Sequence, residues 1–363
     1  MPSEESVLPE ESALSTGGAQ GYLRIATEEA YAPPEMFALY REQLAAGTNE
    51  NIGFNVFENY LLNNTNPWPR SIVERIQDLG ERRLADMDAA GIDHQVLSLT
   101  SPGTQVLGVD DARRIATIAN DRIAEACRRH PTRFSGLAAV GFDEPETAVA
   151  ELQRAITELG LKGLIVNSHI NGEYLDNPKY FPILEALQDL DVPLYLHPNL
   201  PNNRMIGPLT EAGLDGAIFG FGVETGMHLL RIITSGLLDR LPRLKIVVGH
   251  LGEALPFWLS RIDFMHAGQV RTQRYDAIKP LELAPSEYFK RNIWLTTSGM
   301  AWEPAISFAR SVVGADRVMY AMDYPYQYQL DEVRTQDNLP YSASEKKAFF
   351  ESIAKDVFRL DIG

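Results

Sequence analysis

The stretch Arg317–Tyr328, RVMYAMDYPYQY, is an apolar run that stops at a carboxylate and is followed at once by tyrosines and a proline. Val318, Met319, Tyr320, Ala321 and Met322 do not alternate with polar residues, the pattern of a strand covered on both faces, as in a parallel sheet. Asp323 then stands at the C-terminal end of that strand, on the rim of an apolar core. An isolated carboxylate there is costly and needs a partner. A helix cap or a salt bridge would serve, and for a single strand-end aspartate that structural role is the commoner one. The rest of the chain decides between it and a functional role.

Working outward, the same kind of run recurs. Strands are expected at Tyr22–Thr27, His94–Thr100, Phe134–Val140, Leu161–Asn167, Pro193–His197, Lys245–His250 and Asn292–Thr297, with Arg317–Met322 as the eighth. Helical patterns separate them: Arg70–Gly91, Asp110–His130, Glu144–Gly160, Pro178–Leu190, Glu224–Leu238, Glu253–Met265 and Glu303–Val313, with Leu330–Thr335 and Ser344–Phe358 closing the chain. Eight strand–helix units in 363 residues favour a closed (β/α)8 TIM-type barrel over an open sheet. One domain over residues 21–363 is expected, with an irregular insertion after the first strand (32–69) and a polar, flexible tail over residues 1–20.

Composition narrows the function. A net charge of −16 disfavours nucleic acid and anionic membrane as partners, while a local arginine can still hold a small anion. No run approaches the length of a membrane span, and the acidic N-terminus lacks the pattern of a secretory signal. The single cysteine, Cys127, lies in a helical pattern and reads as a small packing residue. Together these point to a cytoplasmic protein.

The strand ends carry the chemistry. Glu28 and Glu29 end the first strand, Thr100 the second, Asn167, Ser168 and His169 the fourth, His197 the fifth, His250 the sixth, Thr296, Thr297 and Ser298 the seventh, and Asp323 the eighth. In a barrel all of these converge on one face. Three of the seven histidines at such ends, together with a glutamate and an aspartate, suit a divalent cation with positions open for substrate. Only one of Glu28 and Glu29 can point inward, because neighbours on a strand alternate. A lone histidine is more often a hydrogen-bonded core residue than a ligand; His94, His130, His228 and His266 fit that role by position, and His169 is intermediate. Arg261, on the helix after the sixth strand, is a candidate for holding a substrate carboxylate, against a surface pair with Asp263 or Glu253. Phe221 and Tyr326 are candidate walls for a planar ring, against plain packing.

The order Glu28, PLYLHP (Pro193–Pro198), GFGVETGMHLLRIITSGLLDRLPRLKIVVGHLGEALP (Gly220–Pro256) and MYAMDYP (Met319–Pro325) resembles the amidohydrolase superfamily. The resemblance is to its metal-dependent, non-oxidative aromatic acid decarboxylases, and within these to the 5-carboxyvanillate type. It implies Glu28, His197 and Asp323 as metal ligands and Asp323 and His250 as the catalytic pair. It also implies Arg261, Arg70, Thr100, Phe221 and Tyr326 as substrate-binding residues. The cofactor implied is one divalent ion per chain, Mn²⁺ before Zn²⁺ or Mg²⁺, and the assembly a homodimer or homotetramer. The first strand lacks the His-x-His pair of binuclear hydrolases, carrying Glu28-Glu29-Ala30 in its place. The implied reaction is loss of CO₂ from an ortho-hydroxylated benzoate, 5-carboxyvanillate to vanillate, in aromatic catabolism and lignin degradation. The alternative on the same scaffold is metal-dependent hydrolysis of a lactone or amide.

Overall fold

The apolar runs form strands because both of their faces are covered. The computed structural model describes residues 18 and 20–362, so the expected tail lies almost wholly outside the described residues. Eight strands follow in order: β1 (Ile25–Tyr31), β2 (His94–Leu99), β3 (Phe134–Gly136), β4 (Leu164–Asn167), β5 (Leu194–His197), β6 (Ile246–Val248), β7 (Ile293–Thr296) and β8 (Val318–Met319). All their residues are buried except the half-buried His197 and Trp294. Alternate residues divide between two apolar clusters. Val96, Ile165, Tyr195 and Val247 share one, and Leu97, Val166, Leu196 and Val248 the other. One cluster fills the interior of a ring of strands and the other packs beneath helices.

All pairings are parallel, in the orders β1-β2-β3 and β4-β5-β6-β7-β8. Two seams join these halves. Ala138 bridges Leu164, with Ile165 N–H donating to the Ala138 carbonyl at 2.9 Å. Glu29 bridges Tyr324, with Ala30 N–H donating to the Tyr324 carbonyl at 2.7 Å. The result is the TIM barrel that the strand rhythm led us to expect.

Three expectations need correction. First, residues 32–69 are largely helical: Pro34–Ala46, Ile52–Asn63 and the start of Pro67–Ile76. The Asn and Pro content that resembles loop is helix punctuation. Asn51 and Asn66 cap the second and third helices, accepting from Phe54 N–H at 2.8 Å and Trp68 N–H at 2.9 Å, and Pro34 and Pro67 open the first turns of their helices. Second, Arg70–Gly91 is not one helix. Pro67–Ile76 and Glu81–Ala90 are separated by a turn in which the Asp78 carboxylate accepts from Gly80 N–H at 2.8 Å. Third, β1 starts three residues later than expected, at Ile25, and runs through both glutamates to Tyr31, four residues past Thr27. It can do so because each carboxylate finds hydrogen-bond donors, Glu28 among hydroxyls and Glu29 on the seam backbone.

Arg83 braces the β8–β1 seam. Its fully buried guanidinium donates to Ala30 O at 2.5 Å, Asp78 O at 2.8 Å and Gln95 Oε1 at 3.3 Å, and lies 4.5 Å from the Tyr324 ring centre. It is also the nearby cation that opposes the effect of burial on Glu29, whose carboxyl is nonetheless pushed up to about 8. Arg83→Met leaves those carbonyls unpaired in the core. It is expected to destabilise the fold by about 3–5 kcal/mol, the range for removing one partner from a buried charged network. The urea midpoint, read at unchanged slope, checks this.

Candidate active site

At the C-terminal rim of the barrel the structure brings Glu28, His197, His250 and Asp323 together. One ligand atom each from Glu28, His197 and Asp323 lies within 4.8 Å of the others. Glu28 points inward from β1, and its two oxygens differ sharply. Oε2 accepts from Ser298 Oγ at 2.7 Å, Thr296 Oγ1 at 3.2 Å and the Tyr195 hydroxyl. Oε1 has no hydrogen-bond partner among the described residues; it faces His197 Nε2 at 3.4 Å and His250 Nε2 at 3.6 Å. A buried carboxylate oxygen left free among imidazoles is what a metal ligand looks like without its ion. Burial pushes the Glu28 carboxyl up, but His250, His197 and the hydroxyl donors outweigh it, so the group lies below the usual carboxylate range. Glu29 points the other way, accepting from the backbone N–H groups of Met322 at 3.1 Å and Tyr324 at 3.3 Å. The alternation of β1 therefore assigns one glutamate to the site and one to the seam.

His197 ends β5 two residues after Tyr195, so both side chains turn inward. Its Nδ1 lies 2.9 Å from the Pro198 carbonyl, which fixes the proton on Nδ1 and leaves Nε2 as a lone pair. Burial holds its pKa below the ordinary value, consistent with a neutral ligand. His250 follows β6 with φ 51°, and its Nδ1 is 3.0 Å from Glu253 Oε1. Burial opposes its charge, but Glu253, Glu28 and Asp323 raise its pKa well above the usual histidine value. Gly249 permits this approach, since a Cβ there would lie 2.4 Å from Glu28 Oε2. Asp323 also sits in the left-handed region, at φ 70°, with Oδ2 3.9 Å from His250 Nε2. Two non-glycine residues held at positive φ beside one cluster are a mark of functional geometry. Burial raises the Asp323 carboxyl to about 6, against the pull of His250.

The other expected residues divide. Thr100 and Tyr326 meet, hydroxyl to hydroxyl, at 2.8 Å. Phe221 is half-buried on the helix Gly220–Thr234, which starts four residues earlier than expected, and packs edge-on to Phe57 with centroids 6.3 Å apart. Arg261 is exposed on the helix Leu255–Thr272 and has no hydrogen bond or ion pair among the described residues. The alternative, a surface pair with Asp263 or Glu253, is not made: Asp263 accepts from Ser286, and Glu253 holds His250. Arg261 lies in a stripe of exposed apolar side chains, Phe257, Trp258, Phe264 and Met265. Arg70 is not brought to the cluster. Its side chain is exposed and lines a surface groove with Arg41, Leu62 and Glu74, because the helix Pro67–Ile76 turns Ile72 and Ile76 inward and Arg70 outward.

The remaining histidines are structural. His94 spans Thr132 O at 3.0 Å and Ser135 Oγ at 2.9 Å, and burial lowers its pKa to about 4. His169 and His228 are fully buried and bonded to backbone. Burial pushes the Cys127 thiol up to about 12, so it is no nucleophile. Sequence reasoning missed Tyr195 and Glu253. Tyr195 was legible from its i, i+2 spacing to His197, while Glu253 reaches His250 through a left-handed turn over residues 250–254 that carries no sequence signal.

Residues 64–360 match the Amidohydrolase family model. The fold superposes with a TM-score of 0.94 on 5-carboxyvanillate decarboxylase from Novosphingobium aromaticivorans, solved with manganese and 4-hydroxy-3-methoxy-5-nitrobenzoic acid. That protein is 52% identical, with 96% of this chain and 99% of that one covered. A 5-carboxyvanillate decarboxylase from Sphingomonas paucimobilis gives a TM-score of 0.88 at 37% identity, covering 93% and 99%. Gamma-resorcylate decarboxylase from Polaromonas sp. (strain JS666) is 36% identical over 303 residues, 81% of this chain and 91% of the relative. The chain belongs to the amidohydrolase family, in the branch that holds these metal-dependent decarboxylases.

Proposed function

We propose that this chain is a carboxy-lyase that removes CO₂ from an ortho-hydroxylated benzoate without oxidation, with 5-carboxyvanillate to vanillate as the specific reaction. The observation that carries the proposal is the unpartnered Glu28 Oε1, aimed into a cluster with His197 and Asp323. Two carboxylates and one imidazole suit one divalent ion, and Mn²⁺ is favoured by the manganese in the solved relative. Such an ion, when bound, supplies a Lewis acid and template for a phenolic oxygen and its neighbouring carboxylate. The hydrolase alternative has less support, because β1 offers one inward carboxylate and no His-x-His pair.

The chain's own residues account for the proton. Direct loss of CO₂ would leave an aryl anion, so the ring carbon bearing the carboxylate is protonated first. The proton comes from Asp323, which stands at the rim beside His250. The phenolate oxygen pushes electron density to that carbon as the C–H bond forms. The C–C bond to the carboxylate then breaks, its electrons restore the aromatic ring, and CO₂ departs. His250, protonated and anchored by Glu253, returns a proton to Asp323. Phe221 and Tyr326 flank the ring. Arg261 reaches a substrate carboxylate from a second copy of the chain, docked through the stripe that contains Phe257 and Phe264 in a homodimer or homotetramer.

Four measurements bear on this. With added Mn²⁺, 5-carboxyvanillate is expected to release CO₂ with no incorporation of solvent oxygen into product; incorporation favours the hydrolase. Asp323→Asn is expected to lower kcat by roughly 10²–10⁴-fold, the scale of a lost general acid, in a folded protein; near-normal turnover excludes Asp323 as the donor. Tyr195→Phe, which removes one support of Glu28, is expected to weaken metal binding by about 10- to 100-fold, read by competition with a chelating dye. Arg261→Met is expected to raise KM or lower kcat with little change in melting temperature, and unchanged kinetics return Arg261 to a surface role.

A further inference from the structure

His250 opens a run of five successive residues in the left-handed region: His250, Leu251, Gly252, Glu253 and Ala254, at φ 51°, 55°, 77°, 54° and 61°. Four of the five are not glycine, and such residues rarely enter this region even singly. The surroundings hold the turn in place. His250 N–H donates to Ser298 Oγ at 3.0 Å, Gly252 N–H donates to the Gly249 carbonyl at 2.8 Å, and Leu251 is buried in the core. A left-handed turn is the mirror image of an α-helical one, so residues three apart still share a face. Glu253 therefore comes back over His250, with Oε1 3.0 Å from Nδ1. A carboxylate can only accept, so Nδ1 carries the hydrogen, and Nε2 is turned toward Glu28 and Asp323.

The other oxygen of Glu253 faces the helix Gly220–Thr234, and the side chain is only 7% exposed. Two glycines one turn apart on that helix meet Glu253 differently. A Cβ on Gly222 would lie 3.2 Å from Glu253 Oε2, so close that the carboxylate would have to give way by a few tenths of an ångström. A Cβ on Gly226 would lie 3.6 Å from the Glu253 carbonyl oxygen and 3.7 Å from its Cβ, which is ordinary contact. Neither glycine has positive φ, so the backbone requires glycine at neither position. At 222 the carboxylate requires it. We propose that Gly222 is a positioning residue for the proton relay: the space left by its missing side chain lets Glu253 reach His250 and hold that imidazole against Asp323. The inference rests on the decarboxylase reading, to whose relay it adds a part carried by the helix that otherwise supplies Phe221.

Gly222→Ala and Gly226→Ala make the same change one turn apart on one helix, and only the first touches the carboxylate. Alanine favours a helix over glycine, so both variants are expected to melt at or above the parent temperature. With the manganese-loaded full chain and 5-carboxyvanillate, Gly222→Ala is expected to lower kcat at least about fivefold with KM within about twofold, part of the roughly 10²-fold that a 1 Å misplacement costs. Gly226→Ala is expected to match the parent. Glu253 transmits the effect, so Gly222→Ala added to Glu253→Ala is expected to cost nothing beyond Glu253→Ala alone, within about twofold. Proton NMR of the zinc-loaded full chain reads the contact without turnover. The His250 Nδ1–H resonance, identified by its absence from His250→Gln, is expected to move upfield in Gly222→Ala as its bond to Glu253 lengthens, and to stay in place in Gly226→Ala. In a chain that turns over, the proposal is overturned if either kcat or this resonance keeps the parent value in Gly222→Ala, or if Gly226→Ala shares the loss. A loss that persists on the Glu253→Ala background also overturns it, by placing the effect on the neighbouring Phe221. A chain that decarboxylates no hydroxybenzoate yet shows the moved resonance refutes the decarboxylase reading and leaves the contact between residue 222 and Glu253 standing.

Discussion

The structure depends on a carboxylate placed where a carboxylate costs most. Glu28 is buried in the mouth of the barrel, and it is tolerable because three hydroxyls hold one oxygen. Those hydroxyls come from β5, β7 and the segment after β7, so they tie the first strand to the middle of the second half-barrel. The other oxygen is left free by the same geometry. Support and function are thus divided between the two oxygens of one side chain, and the cost of the free oxygen is what an ion would offset.

The surrounding groups sort by what burial does to them. His197 is held neutral while His250 is held charged, although their rings are only 6.4 Å apart. The difference is Glu253 and Asp323, which join Glu28 around His250, whereas His197 has Glu28 and a backbone carbonyl on its Nδ1. One imidazole is thereby fitted to bind a cation and the other to store a proton beside Asp323. Separating the protonation states of like groups is how one site runs acid and base chemistry together.

Much of this was legible in the sequence, for a physical reason. Strands covered on both faces are apolar runs, so the barrel rhythm survives in one dimension, and the barrel rule collects the strand ends on one face. That rule placed His197, His250, Asp323 and the Glu28–Glu29 pair on one face without any contact information, and the family resemblance singled out Glu28. What was not legible depended on helix phase and on capping. Asn51 and Asn66 look like loop residues until their side chains are seen accepting from the first turns of helices. Arg70 was read as substrate-binding, but the phase of its helix turns it to solvent, and phase at a short helix is set by the core it meets. β1 was placed too early because a carboxylate reads as a strand end, while here one glutamate is bonded to seam backbone and the other to hydroxyls.

The seam between β8 and β1 joins residues at opposite ends of the sequence: Glu29 accepts from the backbone of Tyr324, 295 positions away. The metal cluster spans the same closure, because Glu28 lies on one side of it and Asp323 on the other. A ribosome building this chain must release nearly all of it before the first and last ligands can meet. The cluster is therefore a report on completed synthesis. A chain that stops before the eighth strand cannot present the full ligand set, and a nascent one cannot capture an ion there prematurely. Closing the ring and arming the site are one event.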